Sequence, residues 1–567
     1  MSNLDWMIMV GTIATIVLVG WWKNRHIKNI EGYFRGDNEL KWQTIGLSIM
    51  ATQASAITFL STPGQAYVDG MRFVQFYFGL PLAMILISAV FVPFYYRLRV
   101  YTAYEYLESR FDVKVRVFGA FLFLVQRGLA TGITIYAPAI ILSAVLGWPL
   151  SWMVMIIGAV VILYTVSGGT KAVSQTQKQQ MIVIMVGMIT AAVIIFMKLP
   201  KGMSLGDVSA LAGSIGRMNV LDFSFDPNNR YNFWSGLIGG FFLQLAYFGT
   251  DQSQVQRYLS GRSVTESRLG LLFNGLFKIP MQFVILFIGI MLLVFYMFVQ
   301  PPIFFNTPAL AQLKKTHKTQ LAKLEARYNK AFAVQKSAAH SLLKARKGTD
   351  AAAIERAKVA LKNAHTQVHK IRTSVKSLLK KALPKVERKD SDYIFITFVI
   401  SHLPVGLIGL LIAVILSAAM SSTASELNAL GSTTTIDFYK RVFRQEASDR
   451  HYLIASKLFT VFWGLVAVAF ATFASLLDNL IQAVNILGSI FYGTVLGIFL
   501  VAFFIKWVGS RAVLAGALVA QVGVIMLFTF TKVGFLWYNL IGCLLVVCFA
   551  ILFQMIPFFQ DPAEQPA

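Results

Sequence analysis

The sequence predicts an all-α polytopic membrane protein with about thirteen transmembrane helices. Its 567 residues are 56% hydrophobic and 14% charged, where soluble domains carry roughly 25% charged residues. Mean hydropathy is +0.63. Apolar runs of about 20 residues, each long enough to span a ~30 Å hydrocarbon core, recur along almost the whole chain. The first run, Leu4–Trp22, lacks a basic n-region and a small-residue cleavage motif, so it reads as a retained helix rather than a signal peptide. Cys543 and Cys548 share the last run and form neither a disulfide framework nor a metal site.

Taken in order, the runs place spans near 4–22, 42–66, 73–95, 117–146, 152–168, 180–198, 233–250, 271–298, 403–425, 452–476, 480–505, 511–530 and 533–556. Short loops rich in Lys and Arg stay cytoplasmic. Lys23, Arg25, Lys28, Arg35 and Lys41 follow the first span, and Arg97, Arg99, Arg110, Lys114 and Arg116 follow the third. Arg257, Arg262 and Arg268 follow the seventh, and Lys440, Arg441, Arg444 and Arg450 the ninth. The opposite turns, 147–151 and 477–479, have almost none. The N-terminus is therefore expected outside and the C-terminus inside.

The net charge of +25 is concentrated in one segment, not spread as a nucleic-acid-binding surface. Residues 309–390 hold 21 of the 51 basic residues against five acids. They divide the membrane domain into a first part, 1–298, and a second, 391–567. The orientation puts this insert outside, and the positive-inside rule weakens for loops beyond ~60 residues. Two helical stretches, about 309–346 and 351–382, are expected, with Asp350 as the N-cap of the second. One reading is a solvated hairpin; the other is a docking arm for anionic lipid, polysaccharide or a protein. His365 and His369 stand at i, i+4, but no acid or Cys lies nearby to complete a metal site.

Lipid tolerates broken helices only where they line protein or a water-filled cavity. The second span has small and polar residues at its centre (Ala51, Thr52, Gln53, Ala54, Ser55, Thr58) and Pro63-Gly64 beyond. Unwinding there would free carbonyls for a cation; a tight small-residue helix contact is the bland alternative. The ninth span turns polar at "SAAMSSTASELN" (417–428), with Ser421 and Ser422 adjacent and Ala418 three residues before. Serines of this kind are often back-bonded to their own helix. The seventh span carries Gln244 and Tyr247, with Gly249 free to end the helix and Asp251 opening the cytoplasmic loop. The eleventh starts with Gln482 and Asn485. Four spans thus carry polar groups where lipid penalises them, and a polar cavity between them accounts for all four. Arg127 lies near mid-depth of the fourth span, either holding a substrate carboxylate or bonding helix carbonyls and water.

At these residues the chain resembles the sodium:solute symporter family, whose members carry sugars, proline, pantothenate, monocarboxylates, iodide or sialic acid. The similarity runs from about Trp6 to Ile505, omitting the insert. It is carried by "TAYEYLESRF" (102–111), "SGGTKAV" (167–173), "GTDQSQVQRYLS" (249–260) and "SAAMSSTASELN" with Asp437 beyond. "STPGQAY" (61–67) and "VQRGLATGITIYAPA" (125–139) are similar to the monocarboxylate, vitamin and iodide branch, and "SAITF" (55–59) to the sialic acid transporters. The resemblance implies a five-plus-five inverted-repeat core of the leucine-transporter type, working by alternating access. It implies a sodium site at Ala51, Ala54 and Ala418 (carbonyls) and Ser421 and Ser422 (hydroxyls). Substrate-facing positions would be Gln53, Ser55, Thr58, Gln244, Tyr247, Gln482 and Asn485, with Phe248 as an aromatic gate.

The chain departs from the family pattern in the insert and at Gln175-Thr176-Gln177, where the family has Trp-Thr-Asp. With Gln177 in place of the acid, one sodium per cycle is expected. The function expected is sodium-coupled import of a small organic solute, a carboxylate among the candidates, in the plasma membrane, bacterial inner membrane included. Sodium is the coupling ion, and neither an organic cofactor nor another metal is implied. Proton coupling is the near alternative, with Glu426 as its candidate because no acid is expected deep in the core spans. A transporter-derived sensor or scaffold using the external hairpin is a further one. No nucleophile–base pair faces the expected cavity, so an embedded enzyme is disfavoured.

Overall fold

A computed structural model describes residues 2–24, 38–348, 350–383, 390–472 and 480–560. Most of the basic loop expected after the first span, including Arg25, Lys28 and Arg35, lies outside them, as do the turn 477–479 and part of the insert's end at 384–389. The described chain is helical throughout, with no strand.

The helices are α1 (Asn3–Asn24), α2 (Trp42–Gln53), α3 (Ala56–Asp69), α4 (Met71–Leu98), α5 (Glu105–Arg110), α6 (Val113–Leu146) and α7 (Leu150–Met197). They continue with α8 (Leu205–Ser214), α9 (Gly240–Thr250), α10 (Gln252–Leu259) and α11 (Val264–Phe298). The insert supplies α12 (Thr307–Thr316), α13 (Lys318–Lys347) and α14 (Ala351–Ala382). After it come α15 (Ile394–His402), α16 (Leu407–Thr433), α17 (Asp449–Ala471), α18 (Leu480–Phe504), α19 (Ser510–Phe530) and α20 (Leu536–Gln554). Among the described residues nine helices are long and apolar enough to cross a membrane, and α2 with α3 make a tenth span bent by 58°. Two shorter apolar helices, Asn3–Ile16 and Leu150–Val166, match the expected first and fifth spans.

Three expectations change. The expected fifth and sixth spans, 152–168 and 180–198, form one helix, α7, through 169–179; that stretch contains no proline to stop it. The ninth span does not end at 425. It runs to Thr433 and on through a π turn, Thr434–Phe443, and its polar residues are buried against α6 and α7. Their hydroxyls meet protein, not hydrocarbon, which removes the cost that suggested a helix end. The seventh span ends at Thr250, as expected, but Asp251 is not exposed loop. It is 1% exposed and caps α10, accepting from the Ser253 backbone N–H at 2.9 Å.

The insert folds as two long antiparallel helices, and Asp350 caps α14 as expected, accepting from the Ala352 and Ala353 backbones. Its apolar stripe, including Leu321, Tyr328, Val368, Ile371 and Val375, packs on Ile303 and Phe304.

Candidate functional site

The site begins where α2 stops. Ala54, with φ −88° and ψ 72°, leaves helical geometry, and Ser55 starts α3 in extended conformation. A helix end leaves carbonyls without intrahelical donors, and here that end is buried, with Ala51 and Ala54 fully inaccessible. α16 passes beside it. Thr52 Oγ1 lies 3.2 Å from Ser425 Oγ, which ties the broken span to the polar stretch of α16. Ala418, Ser421 and Ser422 on that stretch are all buried.

The two serines behave differently. Ser422 Oγ donates to the Ala418 and Ala419 carbonyls at 3.1 and 3.2 Å, while Ser421 Oγ is buried without a hydrogen-bond partner. Gln177 enters the same junction from α7. Its Nε2 lies 2.6 Å from Ser425 Oγ and 3.1 Å from both Thr52 Oγ1 and the Ser421 carbonyl, and Ser48 Oγ donates to its Oε1. The amide therefore supplies positive hydrogen-bonding edges between α2 and α16 where an acid would need a cation.

Beside this junction lies a cavity of about 80 Å³. Six of the seven expected substrate positions line it: Gln53, Ser55, Thr58, Gln244, Tyr247 and Asn485. Gln53 Nε2 donates to Gln244 Oε1 at 3.4 Å, leaving Gln53 Oε1 and Gln244 Nε2 buried and unpartnered, one acceptor and one donor. Gln482 does not line the cavity. Its Oε1 accepts from Arg230 Nη1 at 2.9 Å. Phe248, the expected gate, is fully buried one residue past Tyr247 and is absent from the wall; Phe76 and Tyr77 on α4 supply aromatic surface instead.

Arg127 does line the cavity, but neither expected set of partners is the one found. It bonds two carboxylates, Asp251 on Oδ2 and Glu426 on Oε1 at 3.1 Å, and donates to Tyr492 Oη at 2.6 Å. Tyr492 donates in turn to Asp251 at 3.0 Å. Two acids thus sit deep among the helices, contrary to the expectation of none. Burial of a lone guanidinium is costly, and two anions offset that cost more fully than carbonyls or water could. Glu426 also lines the cavity and keeps Oε2 unpartnered. Thr134 and Tyr492 complete the wall. Each stands seven residues from an expected lining residue, Arg127 and Asn485, so two helical turns of periodicity would have found both. Among the described residues no group of three His, Cys, Asp or Glu could hold a metal ion; carbonyls and hydroxyls are the candidate cation donors.

Comparison with known proteins adds three findings. The profile of the sodium:solute symporter family matches residues 33–323 and 377–522, leaving out most of the insert. The chain is 36% identical to the Homo sapiens sodium/iodide cotransporter over 275 residues, 47% of this chain and 41% of that protein. It is 27% identical to the Bos taurus sodium-coupled monocarboxylate transporter 2 over 496 residues, covering 88% and 67%. It is 26% identical to the sodium/sialic acid symporter NanT of Aliivibrio fischeri, covering 96% and 92%. The chain thus spans about two fifths of the iodide cotransporter and about two thirds of the monocarboxylate transporter. A solved Na+-coupled sialic acid symporter, in a substrate-bound outward-open state, superposes with a TM-score of 0.75 at 22% identity, over 98% of both chains. At that identity the likeness concerns the fold.

Proposed function

The chain belongs to the sodium:solute symporter family, and from that premise we propose that it is a sodium-coupled importer of a small organic solute, of the carboxylate class. It is a multi-pass integral membrane protein, and we place it in a plasma membrane of the bacterial inner-membrane kind. The observation that carries the reading is the pair of unpartnered amide atoms, Gln53 Oε1 and Gln244 Nε2, facing a cavity between two broken spans. Solute bound there would join the end of α2 and α3 to α9, while sodium at Ala51, Ala54, Ala418, Ser421 and Ser422 would join α2 to α16. Sodium drives transport only if it favours the loaded conformations differentially. Reconstituted protein should accumulate radiolabelled lactate when an inward sodium gradient is imposed, and not when choline replaces sodium. Equal uptake in both would overturn sodium coupling.

A second reading, proton coupling, is favoured by one observation: Glu426 lines the cavity with a free carboxylate oxygen. Under it, Glu426→Gln would abolish a pH-driven uptake that persists in choline. The exposed basic face of the insert is the surface for an anionic lipid, polysaccharide or protein partner. Co-flotation of the protein with phosphatidylglycerol vesicles, lost at high salt, would support the lipid case.

A further inference from the structure

The insert does not project freely from the membrane domain. α13 and α14 pack against α8, and α13 also contacts α11. Tyr328 Oη donates to the Pro301 carbonyl at 3.0 Å. Asp390 accepts from the Phe305 backbone at 2.9 Å and pairs with Arg372 at 2.7 Å and Lys376 at 2.9 Å. Between this hairpin and the far ends of α3 and α11 lies a second cavity, of about 70 Å³. One water needs ~10–15 Å³ by the same measure, so the space suits several waters or a solute of a few heavy atoms.

Its wall is basic and under-bonded. Arg372 and Lys376 pair with Asp390, while Asp69, Tyr67 and Arg72 act on Arg217. Four wall atoms are buried without a hydrogen-bond partner: Arg217 Nε, Tyr296 Oη, Gln335 Oε1 and His365 Nδ1. Each comes from a different element: the turn after α8, then α11, α13 and α14. Leaving such a group unpaired is costly, and four around one cavity call for ordered water or a ligand there rather than poor packing. Arg217 and Tyr296 are donors, and Gln335 offers an acceptor. Tyr296 and Gln335 are 3% and 4% exposed, so they are fixed parts of the wall. Burial, then Arg217, His369 and Arg372, push the His365 imidazole down to about 4, so it adds no charge of its own near neutrality.

We propose that this cavity, roofed by the insert, binds a small organic carboxylate, held by Arg217 and Tyr296. α3 runs past both cavities. Thr58 lines the central cavity and Tyr67 the outer one, both on α3. Nine residues of helix separate them, about 13 Å at ~1.5 Å per residue. If the central cavity carries the transported solute, as proposed for the function, the outer site is a second place for the same class of solute, half a turn round α3 from the first.

The test is equilibrium binding of radiolabelled lactate to the full chain in nanodiscs. Wild type should bind two lactates, and Arg217→Gln should weaken one site at least about tenfold, the loss expected for a charge-assisted hydrogen bond. Tyr296→Phe, which removes one oxygen, should weaken the same site about three- to tenfold, and it serves if Arg217→Gln does not fold. Gln244→Ala should remove only the other site. If wild type binds a single lactate, sensitive to Arg217 and Tyr296 but not to Gln244, the outer site stands and the reading of the central cavity fails. If neither Arg217→Gln nor Tyr296→Phe changes lactate binding, the outer cavity holds water only and the proposal is overturned.

Discussion

Ser421 and Ser422 are chain neighbours with opposite duties. The Ser422 hydroxyl is engaged by its own helix, whereas Ser421 Oγ is buried and free. A cation at this junction would gain most from the oxygen that has nothing else to do. Ser421→Ala is therefore expected to raise the sodium concentration for half-maximal uptake about tenfold, or ~1.4 kcal/mol, with unchanged expression. Ser422→Ala should shift it less, since losing this hydroxyl also frees the Ala418 carbonyl, to which it donates, for the ion. Equal, negligible shifts in both would remove the site assignment. Arg127 makes the opposite point. Its burial depth was legible from its position in an apolar run, but its partners were not. Asp251 follows a glycine and a threonine at the apparent end of a span, and Glu426 follows a run of hydroxyls, so both resemble loop in sequence. Only tertiary contact between α6, α10 and α16 brings them together. Arg127→Gln would strand two buried carboxylates, an expected cost of about 3–5 kcal/mol. It should lower thermal stability sharply, and Arg127→Gln with Asp251→Asn should recover part of it.

At the scale of elements, the two broken spans were readable because polarity and small residues interrupt otherwise apolar runs. Continuity was not readable: α7 and α16 pass through stretches that looked like linker and helix end because their polar faces are buried by neighbouring helices. The broken pair is held by close backbone approach. A Cβ on Gly64 would collide with the Ser391 carbonyl, and one on Gly289 with the Pro63 carbonyl. Gly64→Val should cost about 1–3 kcal/mol by overpacking, measurable as a lower melting temperature. Because Ser391 follows the insert directly, it should also loosen the insert. The insert itself should respond to acid. His365 is held neutral in the folded state down to about 4, against an ordinary 6.5, by burial and by Arg217, His369 and Arg372, with Asp390 facing His369 from the docking side. A group with a depressed pKa is protonated first in the undocked state, so its contribution is present above pH ~6.5 and lost as pH falls towards the folded value. Hydrogen-exchange protection factors across 351–382, taken against the intrinsic rate at each pH, should therefore fall between pH 6.5 and 4, and His365→Asn should flatten that dependence.

For the molecule as a whole, coupling depends on how many charges move together, and Gln177 bears on that number. In the family pattern an acid stands here; in this chain an amide sits within bonding distance of Thr52, Ser425 and the Ser421 carbonyl. Its N–H groups meet oxygens that a cation would otherwise meet. The expectation that follows is one sodium per cycle. If it travels with one carboxylate, the net charge moved is zero, so the membrane potential should neither drive nor oppose uptake. Proteoliposomes loaded with potassium and given valinomycin should take up lactate down a sodium gradient at the same rate whether the interior is clamped negative or at zero. Gln177→Asp restores an anion among those oxygens and removes the two N–H donors. It should either bind a second sodium, making uptake faster at negative interior potential and steeper in sodium, or lose activity for want of a counter-ion. Wild-type uptake that accelerates strongly with interior-negative potential would show that more than one positive charge accompanies each solute. The Gln177 amide would then not be what limits the cycle to a single sodium.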